Sequence, residues 1–175
     1  MQNLADIDKR KIGKLVKDIL YKLNITQSEL AEAIGTSAGT IKNIQKGNIA
    51  TFDILIKVLN FLAISLPISE NYKLPLEPEL RYQIKEYHKT HRITDEQNIL
   101  DKKPTLLIAI TDRLIPSGLL RKPKTSGELV VVLNEDYQII TNSSVLSKEL
   151  QKAVDLGKII IVDTTAKRYQ YIQKK

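Results

Sequence analysis

Cysteine is absent from the 175 residues, which removes disulfides and thiolate metal sites at once. His88 and His91 are the only imidazoles. They stand i, i+3 and are able to chelate, but no carboxylate or thiol at ligand spacing completes a site, so no metal and no cofactor is expected. The chain also lacks a Gly-rich phosphate loop, a metal triad and a paired-carboxylate arrangement, so no catalysis is expected. No apolar run approaches membrane-spanning length, and the charged N-terminus has no long apolar h-region. A soluble, cytoplasmic protein, nucleoid-associated and away from membranes, is the expectation. Acidic residues are in short supply: 27 Lys and Arg face 20 Asp and Glu, a formal charge of +7. With a pI of about 9.4, that balance suits a polyanionic partner.

What is present suffices for a core, since 42% of residues are hydrophobic and wholesale disorder is disfavoured. The most informative stretch runs from Thr26 to Gly47, TQSELAEAIGTSAGTIKNIQKG. Thr26 and Glu29 form a capping box, the hydroxyl taking an orphan N–H while the carboxylate reaches back to the cap. Leu30, Ala31 and Ile34 then share one helical face, and Gly35 is the left-handed stop. Ser37 caps a second helix that turns Ile41 and Ile44 inward and ends at Gly47. Two helices joined by a short turn cross closely, so small Ala31 at the contact and Gly35 in the turn are what the geometry needs.

This spacing of Leu30, Ala31, Ile34, Gly35, Ile41, Ile44 and Gly47, with Gln27 opening the first helix, resembles the helix-turn-helix of the phage-repressor family (Cro and lambda-repressor type, also called Xre-like). The resemblance implies that the N-terminal part of helix 38–46 enters the major groove of double-stranded DNA. Ile41 and Ile44 face inward, which leaves Ala38, Gly39, Lys42 and Asn43 to meet base edges. Asn43 suits adenine, Lys42 suits guanine O6 and N7, and Ala38 offers a methyl contact. Gly39 lowers helix propensity there. Phosphate contacts fall to Gln27, Ser37, Thr40, Lys46 and Asn48. Gln27 matches the family residue that anchors the first helix on the backbone.

Around this motif, residues 9–23 form a helix with Ile12, Leu15, Val16, Ile19, Leu20 and Leu23 inward. Lys9, Arg10, Lys11, Lys14 and Lys17 occupy its start and solvent side, as a solvated face or as backbone contacts. Thr51 caps a further helix through Leu62, with Phe52, Leu55, Val58, Leu59 and Leu62 buried. The resemblance ends near residue 66. Residues 67–103 read as a linker: a proline-rich hinge, a helix from Pro78 with Leu80, Ile84, Tyr87 and His91 on one face, and a polar loop from Arg92. That helix is a dimer seam or packs on the C-terminal domain.

Residues 104–175 read as a small α+β domain for dimerisation or sensing. Leu106–Ile110 is most simply a buried strand, a helix continuing to Ile115 being the other option. Leu129–Leu133 and Gln138–Thr141 pair as a hairpin. Ser144–Leu156 is helical, and Ile159–Val162 pairs with Tyr169–Ile172 around 164–167. Helix, Gly157 and hairpin also resemble a winged helix, which would contact DNA through Lys167 and Arg168. The charge excess is +2 over residues 1–70 (9 basic, 7 acidic) and +5 over 71–175 (18 basic, 13 acidic).

The expected fold is therefore an N-terminal all-α helix-turn-helix bundle (1–66) followed by a small α+β domain. The expected function is a sequence-specific DNA-binding transcriptional regulator, a homodimeric repressor. One rival is an antitoxin that autoregulates its operon and binds a toxin through the C-terminal domain. The other is an architectural or replication-control protein. Some repressor heads precede a self-cleaving Ser/Lys dyad; Ser117 with Lys152 or Lys158 offers the residue types, but the Gly-Asp-Ser-Met style of nucleophile segment is absent.

Overall fold

The Asp8 carboxylate accepts the Lys11 backbone N–H at 3.0 Å and so starts the first helix. The computed structural model describes residues 8–48, 51–69, 72–163 and 169–174. The chain divides into two units, Met1–Lys102 and Lys103–Lys175.

The first unit is helical. α1 (Lys9–Leu23) buries Ile12, Val16, Ile19 and Leu23 along one stripe. α2 (Gln27–Ile34) and α3 (Ala38–Gln45) bring Leu30, Ala31, Ile41 and Ile44 to the same core. α4 (Phe52–Phe61) adds Leu55, Val58 and Leu59. Two expectations fail on α4. Thr51 takes the N-cap position without a side-chain capping bond. Phe52, at the very first helical position, projects beyond the bundle and is 46% exposed, while Phe61 at the other end is buried.

The segment read as a linker folds into this unit. α5 (Glu77–His91) packs Leu80 and Ile84 into the core of α1–α4. The inward ridge continues to His88, not to His91, because residues 80, 84 and 88 repeat at i+4 and stack on one face. His88 Nε2 lies 2.6 Å from the Phe61 carbonyl, and its ring meets the Phe61 ring edge-on at 4.7 Å. His91 is exposed and stacks on Tyr87. The stretch after Arg92 is not wholly a polar loop: a short 3-10 turn, Ile99–Asp101, buries Ile99 and Leu100. Arg81 ties it down. Its guanidinium pairs with fully buried Glu77 at 2.6 Å and donates to the Leu100 and Leu23 carbonyls.

The second unit is α+β, with more helix than its apolar runs imply. Thr105 caps α6 (Leu106–Ala109), which continues as a π-helical turn over Ile110–Leu114; the buried strand expected at 106–110 is therefore a helix. An apolar run without periodicity leaves that choice open, and the capping hydroxyl favours the helix. The hairpin expected around 134–136 is also absent. Leu129–Leu133 lies inside α7 (Ser126–Glu135), started by a full capping box between Thr125 and Glu128. Asn134 then exchanges two hydrogen bonds with the Thr141 backbone, holding 138–141 as irregular chain. α8 (Ser143–Asp155) is capped by Asn142 and buries Leu146, Leu150 and Ala153. Gly157 follows with φ 67°. β2 (Ile159–Asp163) and β3 (Gln170–Gln173) pair antiparallel, as expected, with Ile160 opposite Ile172. A two-residue β1 (Lys124–Thr125) pairs on the other side of β3, giving the order β1-β3-β2.

Candidate nucleic-acid interface

The site is built on the two ends of α2 and on α3. Thr26 Oγ1 accepts the Glu29 N–H at 3.2 Å, and Glu29 Oε2 accepts the Thr26 N–H at 2.8 Å. Both arms of the capping box are thus closed. Lys102 donates to both Glu29 oxygens at 2.9 Å. That ammonium, with the Thr26 amide, holds the Glu29 carboxyl down at about 2. Gly35 then turns the chain at φ 69°, and the Ser37 hydroxyl accepts the Thr40 N–H at 3.2 Å to begin α3.

With Ile41 and Ile44 buried, α3 presents Gly39, Lys42 and Asn43 to solvent, with Ala38 half-buried at its start. All four expected base-contact residues thus lie along one exposed helix surface. The helix AGTIKNIQ carries no acid, so a base edge or phosphate meets no like charge from it. Ser37 is exposed, Thr40 is half-buried with its hydroxyl 2.9 Å from that of Ser37, and Lys46 and Asn48 are exposed in the turn after α3. Gly47 closes that turn at φ 80°, and the Asn48 N–H returns to the Asn43 carbonyl at 2.9 Å.

Two residues at this surface carry no signal in the motif. Gln45, the last residue of α3, accepts from Gln27 Nε2 at 2.5 Å, so the start of α2 is braced on the end of α3. Arg10 is the other: a Cβ on Gly47 would stand 3.2 Å from its Cγ, so its stem runs beside the turn that carries Lys46 and Asn48. Of the basic residues on α1, Lys11 turns back instead and donates to the Ile68 carbonyl at 3.0 Å. Lys9, Lys14 and Lys17 stay exposed. Of the side chains that imidazole or dyad chemistry would need, His91 Nδ1 faces the Tyr87 carbonyl, Ser117 donates to the Leu114 carbonyl, and Lys152 pairs with Glu149, while Lys158 is exposed.

A capped helix, a glycine turn and a second helix with a polar outer face match a known pattern over residues 16–68, the helix-turn-helix family model. Residues 16–68 form a helix-turn-helix domain. The match ends before α5 and the second unit. No curated protein and no solved structure matches the chain. The helix-turn-helix match supports a DNA-binding transcription regulator of the Xre type. Among the described residues, no helix is long and apolar enough to cross a membrane.

Proposed function

We propose that the protein is a sequence-specific transcriptional repressor that binds operator DNA as a homodimer through α3. The observation that carries this is the split face of α3. Ile41 and Ile44 lock the helix into the core, while Lys42 and Asn43 stand free on its outer side. Those two side chains are the ones able to pair bidentately with a guanine or adenine edge in the major groove. A short helix reads only a few base pairs, so two half-sites about one helical turn apart are the expected target. Gln27, Ser37, Thr40, Lys46 and Asn48 ring the same surface and supply phosphate contacts, which set register without reading sequence. Repression follows from occlusion of a promoter, with the second unit setting dimerisation or responding to a signal.

In the second unit the order helix, strand, helix, helix, strand, strand with β3 central supports the winged-helix option. Lys167 and Arg168, its expected contacts, lie outside the described residues. The antitoxin reading rests on the apolar side chains this unit leaves uncovered, above all Ile140 at 83% exposure. A toxin-like protein that co-purifies from the native host would favour it.

The deciding experiment is titration of the DNA upstream of the protein's own gene beside a scrambled duplex. A preference of about a thousandfold or more is expected for a specific regulator. Equal affinity for the two duplexes would replace the repressor with the architectural reading, and no binding at moderate salt would defeat both.

A further inference from the structure

Most of the chain's positive charge lies away from the helix-turn-helix. Residues 103–175 hold 12 Lys and Arg against 7 Asp and Glu, a net +5. The fold gathers part of this excess at one end of the sheet. β2 begins and β3 finishes there, with Ile159 opposite Gln173 and the Lys174 N–H donating to the Lys158 carbonyl at 3.2 Å. Lys158 and Lys174 are therefore cross-strand neighbours, and both are exposed. On the other side of β3, Lys124 stands opposite Tyr171 in antiparallel register, so the chain just before β1 is level with the end of β3. The turn Leu119–Arg121 packs against β3, and exposed Lys122, two residues before Lys124, follows that register toward the end of β3 with exposed Arg121 next to it in sequence.

Like charges on facing strands repel. Two carboxylates near these residues in sequence have partners of their own: Glu128 pairs with Lys124 at 2.9 Å, and Asp155 accepts from Gln151 at 3.0 Å. Among the described residues, none of the four cations forms an ion pair. Such a cluster is compensated by a polyanion from outside. A duplex carries one negative charge per roughly 1.7 Å of its axis and releases counterions when lysine or arginine neutralises them.

The geometry points to a second phosphate-backbone contact on the second unit, made by Arg121, Lys122, Lys158 and Lys174. It adds sequence-independent affinity to the reading done by α3, and it rests on the DNA-binding reading above.

The test uses the full chain and two duplexes, the upstream DNA and its scrambled version, across a salt series. Wild type is compared with Arg121→Gln/Lys122→Gln, with Lys158→Gln/Lys174→Gln, and with Lys73→Gln/Lys89→Gln, an equal loss of charge elsewhere. Each cluster pair should flatten the slope of log K against log salt by about 1.8, at about 0.9 per contact. Both duplexes should weaken together, with their ratio kept and the melting temperature unchanged or raised. The Lys73/Lys89 pair should leave the slope alone. Unchanged slopes in the cluster variants, with operator preference intact, overturn this contact and leave the head reading standing. Equal flattening by the Lys73/Lys89 pair overturns it too. A cluster-dependent slope with no preference for either duplex upholds the contact and overturns the head reading, and absence of binding by wild type overturns both.

Discussion

Gly13 on α1 lies against the Gln45 carbonyl at the end of α3, so closely that a Cβ at residue 13 would stand 2.7 Å from that oxygen. The Ile44 carbonyl is nearer still. Both obstacles are backbone atoms, which cannot rotate aside. Gly13→Ala should therefore push α3 off α1 and destabilise the first unit by about 1–3 kcal/mol, although alanine is the better helix former. Gly39 is the contrast, since its nearest neighbour is the Ser37 hydroxyl at 3.7 Å. Gly39→Ala should stabilise by about 0.5–1 kcal/mol. Urea unfolding of the two variants beside wild type checks both signs.

The boundary of the first unit gives a second prediction. α5 places Leu80 and Ile84 in the core, and Arg81 joins Glu77, Leu100 and Leu23. Arg81→Ala should cost about 3 kcal/mol or more, the usual scale for removing one partner of a buried pair. A fragment of residues 1–66 should likewise unfold at lower urea than one of residues 1–102. Equal midpoints for the two fragments would show that α5 adds nothing to the bundle.

Acid should weaken the first unit through Glu29. Its carboxyl falls from 4.5 to about 2 in the folded protein, chiefly because of the Lys102 ammonium and then the Thr26 amide. A lowered folded value means that the unfolded chain binds the proton first as pH drops. The stabilisation is complete above pH 4.5 and is lost as pH falls toward 2. Lys102→Ala should bring the Glu29 titration up toward the ordinary carboxylate range and so make the acid-dependent loss below pH 4.5 smaller. NMR titration of the Glu29 side chain, with urea midpoints from pH 6 to pH 2, measures both. Glu128, held low mainly by the Thr125 amide and then by Lys124, should titrate unchanged in that variant.

The first unit was legible wherever local rules decide. The caps Thr26 and Ser37, the stop at Gly35 and the inward pair Ile41 and Ile44 follow from neighbours a few residues away, and the exposure of Lys42 and Asn43 follows from that pair. Gly13 was not legible, because its contact lies 31 residues ahead on another helix. Gln45 was hidden for the same reason, and so was the place of Arg10 beside Gly47, although Arg10 itself stood among the basic residues offered as backbone contacts. In the second unit, Leu106–Ile110 and Leu129–Leu133 are apolar on all sides and carry no period to separate helix from strand. One signal was there to be read: Thr125-x-x-Glu128 repeats the spacing of Thr26-x-x-Glu29 and announces α7 in the same way. The choice between His88 and His91 needed the position of the Phe61 carbonyl, which no helical pattern contains.

The brace between Gln27 and Gln45 separates positioning from reading. Gln27 stands at the start of α2, where a phosphate would meet it, and its amide is held by the end of α3 at 2.5 Å. Gln45→Ala removes the brace while leaving Lys42 and Asn43 in place. If Gln27 sets the register on the backbone, operator and scrambled DNA should both weaken by about fivefold, the worth of a hydrogen bond of about 1 kcal/mol, and their ratio should hold. Asn43→Ala should act differently, eroding the preference by about 1–3 kcal/mol while scrambled binding stays put. Competition titrations of both duplexes resolve the two patterns. Should Gln45→Ala change the ratio and Asn43→Ala leave it intact, the groove-facing part of α3 would be its C-terminal end, and the assignment of base contacts to Ala38, Gly39, Lys42 and Asn43 would be wrong.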